Sequence, residues 1–176
     1  NSSPATGWKV LMRGARPTVK HMADTFEVVR TATIDAPPEQ VMEQLVDFHK
    51  WQAWSPWEGL DPDQARTYSG SASGVGAQYG WKGNRKVGEG SMEITEVQPS
   101  NVTVDLRFMK PFKSQNTTRF DLEPSGAGTR VTWTMIGPKN VVTRIMGLFK
   151  SMDSMIGPDF EKGLAALKSV VEAERS

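Results

Sequence analysis

The sequence contains no cysteine. Disulfides, thiolate metal sites and cysteine nucleophiles are thereby excluded together. Histidine is almost as scarce, with only His21 and His49, and no set of histidines and carboxylates has zinc-ligand spacing. An excess of either charge is lacking as well: 21 Lys and Arg stand against 20 Asp and Glu, a net charge of +1. That balance calls for neither nucleic acid nor an anionic membrane as a partner. No apolar run approaches the roughly 20 residues that a membrane-spanning helix needs, and no signal-peptide core stands near the start. A cysteine-free chain suits the cytosol and the periplasm equally.

What is present is a chain of 176 residues, 38% hydrophobic and 23% charged, the composition of one folded domain with a real core. Six Trp and nine Met are a notable supply of large, rigid rings and of flexible gap-fillers. Residues 1–23 carry no clear periodicity and are broken by Pro4, Gly7, Gly14 and Pro17. They read either as a flexible N-terminal arm or as appended sequence with its junction at His21-Met22. The domain is read as 24–174.

Phe26 to Ile34 alternates as a strand, with Phe26, Val28, Ala32 and Ile34 on one face and Arg30 as the exception among them. The segment Asp35-Ala36-Pro37-Pro38-Glu39 opens a short helix with the apolar stripe Val41, Met42, Leu45 and Val46. Asp47 is placed to cap a second short helix through Phe48 and Trp51, ending before Pro56. From about residue 65 to 136, glycine- and proline-rich turn signals separate six runs of strand length, an antiparallel meander. After Gly137-Pro138 the period changes to that of a helix, through Val141, Val142, Ile145, Met146 and Phe149 and then Met152, Met155, Ile156, Phe160, Leu164, Leu167 and Val171. Gly157-Pro158 is expected to kink or interrupt it, leaving Val141 to Met152 as a hinged gate. The fold class is therefore α+β: a seven-stranded curved antiparallel sheet wrapped around a long C-terminal helix, with two short helices after the first strand. A helix laid across a strongly curved sheet leaves a concave space, the usual place for a ligand.

Strand parity turns that outline into residues. Val102, Val104, Leu106 and Phe108 share the inward face of one strand; Asn116, Thr118, Phe120 and Leu122 share that of the next. Val131, Trp133 and Met135 follow on the last strand, Tyr79 and Trp81 on an earlier one, and Met92 with Ile94 on another. Nearly every ionisable residue of the central strands falls on the opposite face. The inward set is aromatic, aliphatic and Met with a few hydroxyls and amides, which is the character of an apolar pocket with polar anchors and not of a paired-carboxylate site. The alternative is that the same side chains fill a solid core. The candidate ligand contacts are Tyr79, Trp81, Met92, Phe108, Asn116 and Phe120, with Trp133 and Met135 beside them. Trp54 and Trp57 join from the tryptophan-rich segment, and Met146, Phe149 and Met152 from the helix.

That segment, Trp51-Gln52-Ala53-Trp54-Ser55-Pro56-Trp57, holds three indoles in seven residues. It reads equally as the mouth of a pocket or as a plug between short helices and sheet. His49 lies near Asp47, but residues two apart diverge on a helix, and a solvated histidine is the expectation. Gly70-Ser71-Ala72-Ser73-Gly74-Val75-Gly76 lacks the Gly-Lys-Ser/Thr ending and the helix of a phosphate loop, and reads as a hairpin connection. Asn84-Arg85-Lys86 reads as another hairpin tip. No catalytic residue, metal ligand or cofactor is assigned.

Six segments stand in order along residues 24–174: Ile34-Asp35-Ala36-Pro37-Pro38-Glu39-Gln40-Val41, Asp47-Phe48-His49-Lys50-Trp51, Trp54-Ser55-Pro56-Trp57, Gly88-Glu89-Gly90-Ser91-Met92-Glu93-Ile94, Gly128-Thr129-Arg130-Val131-Thr132-Trp133 and Asp159-Phe160-Glu161-Lys162-Gly163-Leu164. Through them the chain resembles the SRPBCC superfamily, also called START or birch-pollen-allergen-like, and within it the bacterial polyketide cyclase/dehydrase group. The resemblance implies the helix-grip fold. It leaves function open among carriers, cyclases and cochaperone-type modules, and some relatives carry a membrane anchor before the domain. The expected function is binding or transport of a hydrophobic small molecule, such as a lipid, an isoprenoid or an aromatic polyketide-like compound. A polyketide cyclase or dehydratase using Tyr79, Asn116, Arg30 or Glu58 is the first alternative, and a protein-interaction module the second. The expected location is cytoplasmic, with a removed anchor or a periplasmic site as alternatives.

Overall fold

Alternation of apolar and polar side chains, broken at places such as Val28-Val29 and Arg30, builds the sheet. The computed structural model describes residues 25–139 and 151–174. Seven strands lie within them: β1 Thr25–Ile34, β2 Ala65–Gly70, β3 Ala77–Lys82, β4 Glu89–Gln98, β5 Asn101–Lys110, β6 Ser114–Ser125 and β7 Gly128–Pro138. They form one antiparallel sheet in the order β1-β7-β6-β5-β4-β3-β2. The order is a meander except that β1 adds beside β7, so the first and second strands become the two edges. Register shifts between Glu89 and Gly90 and between Ile94 and Glu96 mark irregularities in the β4–β5 ladder, and such bulges bend a strand and sharpen its twist.

Helix α1, Pro38–Leu45, starts at a proline, which the first helical turn tolerates, and buries Val41, Gln44 and Leu45. A 3-10 turn, Lys50–Ala53, follows. Helix α2, Met152–Ala173, is capped by the Ser151 hydroxyl, which accepts from the Ser154 N–H at 3.2 Å. It buries Met152, Phe160, Leu164, Leu167 and Val171 against the inward face of the sheet. Two glycines on α2 mark close approaches. A Cβ on Gly163 would stand 2.9 Å from Pro56 and from the Trp133 ring, and one on Gly157 would collide with the Arg30 guanidinium.

The inward faces agree with parity: Val102, Val104 and Leu106, then Asn116, Thr118, Phe120 and Leu122, then Val131, Trp133 and Met135 are all buried. Arg30, the apparent exception on β1, has a partner that sequence parity does not reveal. Its guanidinium donates to Asp153 at 2.8 and 3.0 Å and to Glu161 at 3.0 Å, tying the start of α2 to the sheet.

Two expectations are corrected. Of the kink or interruption expected at Gly157-Pro158, the interruption does not occur, because α2 runs unbroken through Pro158. Arg30 binds acidic groups on both sides of the proline and braces the turn whose backbone hydrogen bond proline removes. His49 and Asp47 do not diverge either. Asp47 lies beyond the end of α1, where the chain turns, and its carboxylate accepts from both the His49 N–H and His49 Nδ1 at 3.0 Å. The His49 ring is well exposed and stacks on Tyr68 at 4.0 Å. The hinged-gate reading of Val141 to Met152 falls almost wholly outside the described residues, as does the N-terminal segment 1–23.

Candidate functional site

Between the sheet and α2 lies a cavity of about 340 Å³, within the usual size range of small-molecule sites. One wall is aromatic. Tyr79 and Trp81 on β3 lie with their rings 6.1 Å apart and nearly parallel, and Phe108 on β5 meets Trp81 edge-on at 5.8 Å. Trp81 is fixed by its N–H, which donates to the Val87 carbonyl at 2.8 Å. Gly90 makes room for that ring, since a Cβ there would stand 2.5 Å from it.

A second wall is a stack. Trp133 lies flat against Phe160 of α2, with centroids 4.0 Å apart and planes 4° from parallel, while Phe120 covers its other side at 4.9 Å. Trp57 meets both Trp133 and Phe160 edge-on. The Trp133 N–H donates to the Thr118 hydroxyl at 2.9 Å, which donates onward to the Thr134 carbonyl at 3.1 Å. The indole nitrogen is therefore satisfied inside the wall.

Of the candidate contacts, Trp57, Tyr79, Trp81, Met92, Phe108 and Asn116 border the cavity, as do Trp133, Met135 and Met152. Trp54 and Phe120 do not: they are 2% and 0% exposed and meet edge-on at 5.9 Å behind Trp133. Parity is right for Phe120, but its place along β6, opposite Val102 and Trp133, sets it under the tryptophan segment and away from the open space. Met146 and Phe149 lie outside the described residues. The tryptophan segment combines its two readings. Trp51 and Trp54 are a buried plug, with the Trp51 N–H donating to the Leu45 carbonyl at 3.1 Å, while Trp51 and Trp57 present surface to the cavity.

Residues not selected from sequence also border it. Phe26, Phe48, Leu106 and Phe160 enlarge the apolar surface. Arg85, Lys86 and Lys110, at the tips of the β3–β4 and β5–β6 connections, are exposed at its rim beside Phe112. Gln64 and Glu58 form a polar cluster with Tyr79. The signal for that cluster was present: Gln64, just before β2, shares its parity with Arg66 and Tyr68 on the strand. Both Glu58 oxygens face Arg66, in a pair whose shorter distance is 2.5 Å. The Gln64 amide donates to the Tyr79 hydroxyl at 3.2 Å. Burial, followed by the negative charge of Glu58, pushes the Tyr79 phenol up to about 12, so it stays protonated at neutral pH. The bond to Glu58 likewise holds the Arg66 guanidinium above its ordinary value. Among the described residues the arrangement offers an apolar interior with neutral polar groups at Gln64–Tyr79 and at Asn116–Ser114, and a basic rim.

Among the described residues no group of three or more His, Asp or Glu could hold a metal ion. No helix among them is long and apolar enough to cross a membrane.

The fold recurs widely among solved structures. A protein from Mesorhizobium loti is similar at 16% identity with a TM-score of 0.62, the match covering 84% of this chain and 98% of that one. Ara h 8.0201 is similar at 12% identity and a TM-score of 0.58, over 85% and 99% of the two chains. DynU16, from the dynemicin biosynthetic locus, is similar at 16% identity and a TM-score of 0.56, over 83% of this chain and 47% of that one. Identities this low speak for the fold alone. A search of the curated proteins finds no match. Residues 25–172 match the family model described as polyketide cyclase / dehydrase and lipid transport. With that match across most of its length and the helix-grip architecture beneath it, this chain belongs to that family, within the SRPBCC superfamily.

Proposed function

We propose that the protein binds a hydrophobic small molecule, a lipid, isoprenoid or aromatic compound, in the cavity between the sheet and α2. The observation that carries this reading is an apolar space of about 340 Å³ walled by Trp81, Phe108, Trp133 and Phe160. Its ionisable groups are engaged elsewhere or stand at the rim. Transfer of apolar ligand surface into such a space supplies about 25 cal/mol per Å². The family description embraces lipid transport and cyclase chemistry alike, and the tied-up Glu58–Arg66 pair favours a carrier.

Native mass spectrometry of gently purified protein tests the reading, with co-purified apolar ligand expected. A protein that arrives empty and also fails to bind a panel of apolar dyes would remove its basis. Leu106→Trp, which puts an indole into the cavity, should weaken dye binding while the protein stays folded.

A cyclase or dehydratase role is the second reading. It is favoured by one feature: Glu58 and Tyr79, a carboxylate and a phenol, border the same space. Turnover of a polyketide-like substrate that is lost in Glu58→Gln and Tyr79→Phe would support it. The interaction-module reading expects a filled core, and the cavity counts against it.

A further inference from the structure

Charge is balanced over the chain but not around the cavity. Among the described residues, four charged side chains border it: Glu58, Arg85, Lys86 and Lys110. The single carboxylate is already engaged, because both Glu58 oxygens face Arg66. The three cations gather at one end, on the β3–β4 and β5–β6 connections. Lys110 stands 3.9 Å from Glu89, beyond hydrogen-bond reach. Arg85 and Lys86 have no ion pair among the described residues.

The same connections mark the mouth. Of the described residues that border the cavity, the exposed ones are Arg85, Lys86, Lys110, Pro111, Phe112 and, from α2, Met155. The backbone holds the two connections together, since a Cβ on Gly88 would collide with the Lys110 carbonyl. The β3–β4 connection is also closed from within. The Gly83 N–H donates to the Gly88 carbonyl at 2.9 Å, and the Lys86 N–H donates to Asn84 Oδ1 at 2.9 Å. The buried Asp61 carboxylate accepts from the Asn84 N–H at 2.7 Å. The Val87 carbonyl accepts from Trp81 of the cavity wall. The backbone that carries Arg85 and Lys86 is thereby tied to the wall against which a ligand would lie.

We propose that the ligand is an amphiphile, with its apolar body in the cavity and an anionic head, a carboxylate or a phosphate, among Arg85, Lys86 and Lys110. The inference rests on the reading of the cavity as a ligand site, and it names the charge of that ligand's polar end.

The position of the cations suits such a molecule. A head group at the mouth keeps part of its hydration, so the large cost of burying a charge in an apolar space is avoided. Exposed Phe112 offers apolar surface beside the cations. A cationic head would meet three like charges there. Glu89, the carboxylate nearest Lys110, shares that cation with the head and weakens its contribution.

The experiment loads the purified protein with the neutral dye N-phenyl-1-naphthylamine and displaces it with decanoate, decyl phosphate, decanol and decyltrimethylammonium. All four share one apolar chain and differ in the head. An exposed ion pair is worth about twofold in affinity, so three cations, one of them shared, should favour decanoate over decanol by about fivefold. Decyltrimethylammonium should bind more weakly than decanol. Decyl phosphate should also outbind decanol, and the ratio of the two anions tells a carboxylate site from a phosphate site. The preference should shrink as added salt shortens the Debye length. The triple variant Arg85→Gln, Lys86→Gln and Lys110→Gln should bring decanoate and decanol within about twofold while dye affinity is unchanged, because only exposed ion pairs are removed. Lys50→Gln with Lys162→Gln, which removes exposed cations that do not border the cavity, should leave the preference intact.

Equal displacement by decanoate and decanol in the wild type would overturn the proposal, while dye binding kept the cavity reading in place. A preference that survives the triple variant, or that falls equally in the Lys50 and Lys162 control, would overturn it as well. So would a triple variant whose only defect is release from phosphatidylglycerol vesicles, which would assign the cations to a membrane surface. If the dye did not bind at all, the cavity reading itself would fail, and this inference with it.

Discussion

Replacing Thr118 with valine isolates one hydrogen bond in the wall of the cavity. Thr118 and Trp133 are 3% and 1% exposed. The threonine hydroxyl accepts the indole N–H at 2.9 Å. Valine has nearly the same shape, so Thr118→Val opens no void, but it strips the indole nitrogen of its partner. The ring cannot turn its N–H toward water, because Phe120 holds one face and Phe160 the other. The expected loss is therefore the desolvation cost of an orphaned buried donor, about 1–3 kcal/mol. In a chain of this size each kcal/mol lowers Tm by about 2–4 °C. Urea denaturation followed by circular dichroism measures the loss, with an unchanged m-value expected. The double variant with Trp133→Phe supplies the decisive comparison. Without the indole N–H the valine leaves no orphan, so the double variant should be more stable than the sum of the single losses by about 1 kcal/mol or more. Strict additivity within about 0.5 kcal/mol, or a Thr118→Val loss below that value, would refute the view that this bond pins the stack.

Gly157→Ala should lower Tm, although alanine is normally the better helix residue, because its Cβ would displace the Arg30 guanidinium. Combined with Arg30→Ala the same substitution should become neutral or favourable, and a higher Tm for Gly157→Ala alone would contradict the clamp. Arg30 holds the Asp153 carboxyl below its ordinary value of 3.8. The stability linked to that group is thus complete above pH 3.8 and is lost as pH falls through the lower folded-state value. Asp153→Asn should accordingly be less stable than wild type at neutral pH and converge with it in strong acid; acid–denaturant titrations that stay parallel would dismiss the pairing. Gly163→Ala should disturb the Trp133–Phe160 stack, since the added methyl group meets the Trp133 ring and Pro56, and near-ultraviolet circular dichroism should lose aromatic signal; an unchanged spectrum at unchanged Tm would argue against that close approach.

Much of the architecture was legible because its signals are local. Alternation over Val102 to Phe108 follows from the two-residue period of a strand, and parity correctly sent Asn116, Thr118, Trp133 and Met135 inward. Turn chemistry did the same for the β2–β3 connection, where Gly70, Gly74 and Gly76 take positive φ angles of 69°, 71° and 91°. The proline in α2 misled because its cost was judged locally. Its support, Arg30 on β1, lies more than a hundred residues away in sequence. Asp47 and His49 misled for the converse reason, since a helical periodicity was applied where the chain had already turned.

The sequence by itself determined the order of elements, the faces they present and the family to which the chain belongs. Backbone period and side-chain polarity act between near neighbours and leave their record in the linear order. Only the tertiary structure decided which inward residues border empty space and which stand behind the wall. Phe120 and Asn116 share a strand and a face, yet one supports Trp133 while the other meets the cavity. Tertiary structure also brought Gln64, just before the edge strand β2, to Tyr79 on β3. Parity specifies the side of a sheet; the curvature of the sheet and the seat of α2, set by contacts between distant segments, determine where packing is complete and where room remains.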